Sequence, residues 1–188
     1  MSIHARSNAE LLAMLVGKRK ADKLYRNTLA SLFFAREGSS NYTKELAAAK
    51  ELVKRSLNEE IQQLDALTAP TKVVQYLKLM LMGYEHEVFV TLFLDAQNRL
   101  IAAEELFRGT LTNTAVYPRE VVKRALSLNA GNVIFAHNHP SGVATPSHAD
   151  KALTETLRQA LALVDVKVLD HLVIGEAVAV SFAESGWI

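Results

Sequence analysis

The sequence predicts a mixed α/β fold (α+β mixed): a mixed sheet flanked by helices, with an N-terminal helical region. Three observations carry this. Residues 8–66 repeat apolar side chains at helical spacing almost throughout. Val88–Leu94 is a continuous apolar, β-rich run of the kind that fills a central strand covered on both faces. From residue 99 onward, strand-like and helix-like stretches alternate to the end of the chain. A length of 188 residues suits one fair-sized domain or a domain with a small appendage, and 49% apolar residues supply a substantial core.

Taken in order, Asn8 can cap a helix carrying Leu11, Leu12, Leu15 and Val16. A second helix is expected over 22–36, with Leu24, Leu29, Leu32 and Phe33 inward. Gly38-Ser39-Ser40-Asn41 is the clearest break, and an Ala/Glu/Lys-rich helix follows from about Tyr42 to Leu64. Thr68-Ala69-Pro70 marks the expected boundary between an N-terminal helical region, 1–68, and a second domain, 69–188. Thr71–Met82 presents Val73, Val74, Leu77, Met80 and Leu81 on a broad apolar face, and Gly83 ends it.

Asp95-Ala96-Gln97-Asn98 turns the chain into a second strand, Arg99–Phe107, and a third short strand is expected near Thr112–Val116. Pro118 opens a helix, as proline does at the first helical position, with Val121, Val122, Ala125 and Leu126 inward. A strand ending at His137 comes next, then a helix from about Pro146 to Leu163. Short strands at Val166–Leu169, Leu172–Ile174 and Val178–Phe182 complete the chain.

Charge is nearly balanced at +1, so no global basic excess advertises nucleic acid. The first 70 residues hold eleven Lys or Arg against eight Asp or Glu, the remainder ten against twelve; the basic bias is mild and N-terminal. Lys18-Arg19-Lys20 reads as a solvated helix end. With no cysteine, disulfides and thiolate metal sites are excluded, and any metal must be held by His, Asp or Glu. The first residues show no apolar signal core and no apolar run approaches bilayer thickness, so a cytoplasmic protein without a membrane partner is expected.

The most informative stretch is His137-Asn138-His139-Pro140-Ser141-Gly142, followed by Pro146-Ser147-His148-Ala149-Asp150. Two histidines at i and i+2, ending an apolar run, point to one face of a strand. Asn138 points the other way and is free to fix the turn. Asp150 lies three residues after Ser147 at a helix start. Two imidazoles and a carboxylate are three protein ligands of the kind that leave a catalytic zinc one open position. The structural alternatives are strand-end histidines bonded to backbone, plain turn residues, and Ser147 as a helix cap; Ser-x-x-Asp resembles a capping box, although that box prefers Glu or Gln at its end. A zinc hydrolase also needs a general base. Composition and spacing leave Glu85, Glu87, Glu104, Glu105 and Glu120 open for that role.

The pattern His137-x-His139-Pro140 with Ser147-x-x-Asp150 resembles the signature of the JAMM (MPN-plus, JAB) metalloproteases. The longer string through Leu169-Asp170-His171 is similar to the RadC branch of that superfamily. Phe93-Leu94-Asp95, Gly109-Thr110, Pro118-Arg119-Glu120 and Ser181-Phe182-Ala183-Glu184 match further blocks in order, from about Thr71 to Ile188. The resemblance implies a cytidine-deaminase-like, JAB/MPN mixed sheet and a Zn2+-dependent hydrolase cleaving peptide or isopeptide amides, in a family associated with DNA repair. It implies zinc ligands at His137, His139 and Asp150. It places the base on Glu87, which follows a helix and opens the first strand, with Glu120 the second choice because an acid in a first helical turn also serves the dipole. By the same resemblance Ser147 donates to the oxyanion of the tetrahedral intermediate. Asp170-His171 reads as a buried hydrogen-bonded brace, with orientation of a ligand as the alternative, and His148 as exposed and incidental.

The chain departs from the RadC pattern at its start, where Gly17 and Gly38 are isolated and no Gly-x-Gly hairpin presents amides to a phosphate. A peptide or protein substrate, lying extended beside a sheet edge, is therefore the leading partner. Nucleic acid is the weaker one, and a non-enzymatic DNA-repair-associated interaction module on the same scaffold is the alternative function. The letters His-Asn-His do not indicate the nuclease motif of that name, whose residues spread over a hairpin and helix.

Overall fold

The computed structural model describes residues 2–24, 28–33, 35, 38–81, 83–109 and 116–188. The chain divides into two compact units, Met1–Ser56 and Leu57–Ile188. The Thr68-Ala69-Pro70 segment, expected as a boundary, lies within the second.

In the first unit, α1 (Asn8–Val16) is capped by Ser7 rather than Asn8: the Ser7 hydroxyl accepts from the Glu10 amide, and the Glu10 carboxylate accepts from the Ser7 amide in return. Gly17, at φ +80°, ends it, and α2 (Lys18–Leu24) starts at once. With α3 (Leu29–Phe33), α2 stands where one helix over 22–36 was expected. Leu12, Val16, Ala21, Leu24, Leu32 and Leu46 form this unit's core. The long α4 (Lys44–Gln63) runs across the division. No described helix is long and apolar enough to cross a membrane.

The second unit is the mixed sheet. After α5 (Pro70–Leu81) come β1 (Val88–Leu94), β2 (Leu100–Arg108), α6 (Pro118–Ser127), β3 (Asn132–Asn138), α7 (His148–Ala162), β4 (Lys167–Ile174) and β5 (Ala179–Ser181). The strand order is β2-β1-β3-β4-β5; only β3 and β4 run parallel, joined through α7. Residues 112–115 of the strand expected near Thr112–Val116 lie outside the described residues. β1 and β3 are buried along their whole length, because helices cover both faces. Val88, Val90, Leu92, Ile134 and Ala136 pack with Val73, Leu77 and Leu81 of α5. Phe89, Phe93, Val133 and Phe135 pack with Val121 and Ala125 of α6 and Leu157 and Leu161 of α7.

One irregularity bears on the site. The expected pair Val166–Leu169 and Leu172–Ile174 is a single strand, β4, carrying a bulge: Val133 pairs with Val168, but the next residue, Ile134, pairs with Asp170. The extra residue shifts the alternation by one, so Val168 faces the α6/α7 layer, Leu169 and Leu172 face α5, and His171 returns to the α7 side.

Candidate metal centre

His137 and His139 sit at the tip of β3 and project to the side where α7 begins, as the two-residue period requires. Asp150 is the third residue of α7, and its carboxylate meets them there. One ligand-type atom from each of the three lies within 4.8 Å of the others. The two imidazole Nε2 atoms are 3.0 Å apart, and carboxylate oxygens of Asp150 lie 3.4 Å from His137 Nε2 and 3.6 Å from His139 Nε2.

The surrounding hydrogen bonds fix which atoms carry protons. The Thr154 hydroxyl, one turn after Asp150, donates to the Asp150 backbone carbonyl at 2.6 Å, so it accepts from His171 Nδ1–H, also at 2.6 Å. That leaves His171 Nε2 as an acceptor, and His137 Nδ1–H donates to it at 2.9 Å. His139 Nδ1–H donates to the Val143 carbonyl at 2.7 Å. Both Nε2 atoms and the Asp150 carboxylate therefore converge on one spot. One cation there, a proton on His139 or a metal ion, satisfies all three, and this is the sense in which these residues fit a metal.

The electrostatics agree. Burial lowers the His137 pKa to about 4, against the pull of Asp150. Burial also drives His171 well below the ordinary imidazole value; it is fully buried, ringed by Phe89, Phe135 and Phe182 with centroids at 5.6, 5.9 and 4.9 Å. His139 moves the other way, raised chiefly by its hydrogen bond to Asp150, against burial, and helped by the Val143 carbonyl and the charge of Glu87. Burial pushes the Asp150 carboxyl up, but bonds from His139 and Ser147 outweigh it and hold the group below the usual carboxylate range. The site thus keeps its carboxylate ionised and one imidazole neutral.

Ser147 caps α7 in a complete capping box despite the Asp at its end. Its hydroxyl donates to Asp150 Oδ2 at 2.7 Å and accepts from the Asp150 amide at 3.1 Å, while its own amide donates to the same carboxylate oxygen at 2.6 Å. Ser147 thereby aims the Asp150 carboxylate. His148 is exposed, as expected.

Among the five candidate bases, Glu87 is the one whose charge is felt at His139. It immediately precedes β1, in phase with Phe89, which pairs with His137. Its backbone is held by Gly109, whose amide donates to the Glu87 carbonyl at 2.8 Å. Glu120 stands in the first turn of α6, about half exposed, near Arg119 and Lys123 at 3.6 and 3.8 Å. Glu104 accepts a two-point bond from Arg124, which lowers its pKa and ties α6 to β2. Glu105 is bonded to Arg108. Glu85 is exposed.

Asp170 and His171 do not act as a pair. Asp170 points to the α5 side, where it accepts from the Ser181 hydroxyl at 2.7 Å and the Ala183 amide at 3.0 Å; this half is the brace. His171 is the orienting half, bonded to His137. Asn138 does not fix the turn after it: its carboxamide bonds the backbone leading into β1. Thr154 escaped the sequence reading, although its position four residues after Asp150, on the same helical face, was the available signal. The ligand-bearing turn is seated by Gly175, where an added Cβ would lie 2.5 Å from the Gly142 carbonyl and 3.0 Å from Ala144.

The family model described as a RadC-like JAB domain matches residues 67–187. A UPF0758 protein of Nitrosospira multiformis is 52% identical over 201 residues, covering 97% of this chain and 89% of that protein. UPF0758 proteins of a Polaromonas species and of Nitrosomonas eutropha are each 62% identical, over 142 and 144 residues. Those alignments cover 76% and 77% of this chain but 63% and 64% of the relatives, so they span somewhat less than two thirds of those proteins.

Proposed function

This chain belongs to the RadC-like JAB domain family, and on that premise we propose that it is a zinc-dependent hydrolase that cleaves peptide or isopeptide amide bonds in protein substrates. The observation that supports it most is the convergence of two imidazole Nε2 atoms and an ionised carboxylate, ligand atoms all within 4.8 Å of one another. Two imidazoles and a carboxylate, without thiolate, suit zinc held by three protein ligands with a fourth position open.

His137, His139 and Asp150 would hold the ion, which when bound supplies Lewis acidity and brings the pKa of a water down to about 7. His171 keeps the His137 ring turned with Nε2 inward. Glu87 takes a proton from the attacking water and passes it to the leaving amine. Ser147, whose proton rests on Asp150 in this structure, turns it toward the oxyanion as the carbonyl becomes tetrahedral.

The test is metal content and cleavage together. Protein purified without added metal should carry about one zinc per chain, and Asp150→Ala should carry none. A mixture of synthetic peptides incubated with the wild type should acquire new amino termini, detected by mass spectrometry. These should vanish with a chelator and with Glu87→Gln. Substoichiometric zinc that is equal in wild type and Asp150→Ala refutes the reading.

A further inference from the structure

The residue between the two ligand histidines does its own work. Asn138 is 5% exposed, and its carboxamide reaches across to the lead-in of β1. Its Oδ1 accepts from the Val88 amide at 2.8 Å, and its Nδ2 donates to the His86 carbonyl at 3.0 Å. The two bonds fall on the peptide groups either side of Glu87. They begin where the backbone ladder between β1 and β3 stops, at the Phe89–His137 pair. A carboxamide has the donor and acceptor of a peptide group, so it extends the ladder one step beyond the backbone's own reach. The other edge of the segment is held by the Gly109 amide on the Glu87 carbonyl.

We propose that Asn138 is a positioning residue that clamps the segment carrying Glu87 in register with the ligand tip of β3. The inference rests on the base role given to Glu87 above. Alternation along three consecutive residues divides the labour: His137 and His139 project to the ion-binding side, and Asn138 grips the strand that brings the general base. The distance between base and ion is then set by one residue of the same strand that holds the ion. A base must lie within hydrogen-bond reach of the water it deprotonates, and displacements of about 1 Å at reacting groups can cost about a hundredfold in rate.

The test uses the full chain and two readouts. The first, amide hydrogen exchange on metal-stripped protein, needs neither ion nor substrate. In Asn138→Ala the Val88 and Gly109 amides should exchange at least about tenfold faster, while Leu92 and Phe135 keep wild-type protection. Asn138→Asp retains an acceptor for Val88 but no donor for His86; it should keep Val88 protected, and it serves should the alanine variant fold poorly. The second readout is the visible spectrum of cobalt(II)-loaded protein against pH. Its midpoint should move in Asn138→Ala in the same sense as in Glu87→Gln, and the double variant should behave as Glu87→Gln alone, with cobalt affinity within about threefold of wild type. Unchanged protection at Val88 and Gly109 overturns the proposal. So does uniform loss of protection across β1 and β3, or a cobalt midpoint that moves in Glu87→Gln but not in Asn138→Ala. Failure to bind cobalt at all refutes the metal reading instead, and the exchange result still decides the clamp.

Discussion

Replacing Thr154 by valine tests the chain of protons that readies His137. The change keeps the shape of the side chain and removes only a hydroxyl that is 1% exposed and bonded at 2.6 Å on both sides. Two responses are open to the site. If His171 keeps its proton on Nδ1, a buried donor loses its partner, which costs about 1–3 kcal/mol of stability. If the proton shifts to Nε2, it meets His137 Nδ1–H, and His137 must move its own proton to Nε2, the atom that faces His139 and Asp150. His137 then ceases to be a ligand until the arrangement reverts. Loss of such an outer partner typically weakens metal binding about ten- to a hundredfold. The Asp150 carbonyl, inside α7, keeps its helical bond, so it adds little. Zinc affinity measured against a chromophoric chelator, with urea unfolding of the metal-free protein, should reveal the loss in one quantity or divided between the two. Thr154→Ser should restore both. Wild-type affinity together with a wild-type urea midpoint in Thr154→Val would falsify the proton assignment.

Metal-free protein should lose stability as pH falls from 6.5 toward 4. His137 and His171 have folded-state pKa values below the unfolded one, so the unfolded chain takes up protons that the folded chain refuses. Each such group contributes about 1.4 kcal/mol per pH unit. His139, shifted upward, contributes stability that is full below its unfolded pKa and fades only as pH rises through the folded one, so it adds no slope in this window. The two buried imidazoles therefore set a net fall, visible in urea midpoints with chelator present; a flat or rising profile contradicts the burial of neutral imidazoles. Glu87→Gln should lower peptide cleavage by about 10²–10⁴-fold, whereas Glu120→Gln, on an exposed helical turn beside Arg119 and Lys123, should leave it near wild type; steady-state rates reversed between the two would move the base to α6. Gly175→Ala should displace the turn between His139 and Ala144, since a Cβ cannot stand 2.5 Å from the Gly142 carbonyl; zinc affinity should drop, and an unaffected affinity would show that the turn does not seat His139.

The sheet was readable where burial is uniform and hard to read where it switches face. Val88–Leu94 announces itself as a strand because both faces need apolar side chains, and the α7 start is marked by Ser147 and Asp150. β4 was harder. Strict alternation fails at Leu169-Asp170, which reads as a gap between two strands, whereas the chain continues through a bulge. Helices in the first unit were misplaced for a similarly local reason: Gly17 at φ +80° lets α2 begin four residues before Asp22. The three ligand-type residues stood out because imidazoles and a carboxylate have few other reasons to cluster. Their supports did not, because a threonine in a helix and an asparagine in a strand acquire meaning only once the register is known.

That register explains why the supports take the form they do. β3 is the strand where antiparallel pairing with β1 gives way to parallel pairing with β4. Its tip is therefore flanked by the start of one neighbour and the later half of the other, and each delivers a different group. β1 brings Glu87 at its entrance, held through Asn138 on one side of β3. β4 brings His171, which reaches His137 only because the bulge returns it to the α7 face. Were β4 to run on from Val168 in strict alternation with no bulge, His171 would face α5, and the His137 Nδ1 proton would lose its acceptor. Deleting Leu169 removes the extra residue while Ile134 still pairs with Asp170 and Phe135 with His171. His171 should then stay on the α7 face, and zinc affinity, titrated against a chromophoric chelator, should hold near wild type. His171→Phe, which removes the acceptor and leaves all three ligand-type residues in place, should weaken it about ten- to a hundredfold.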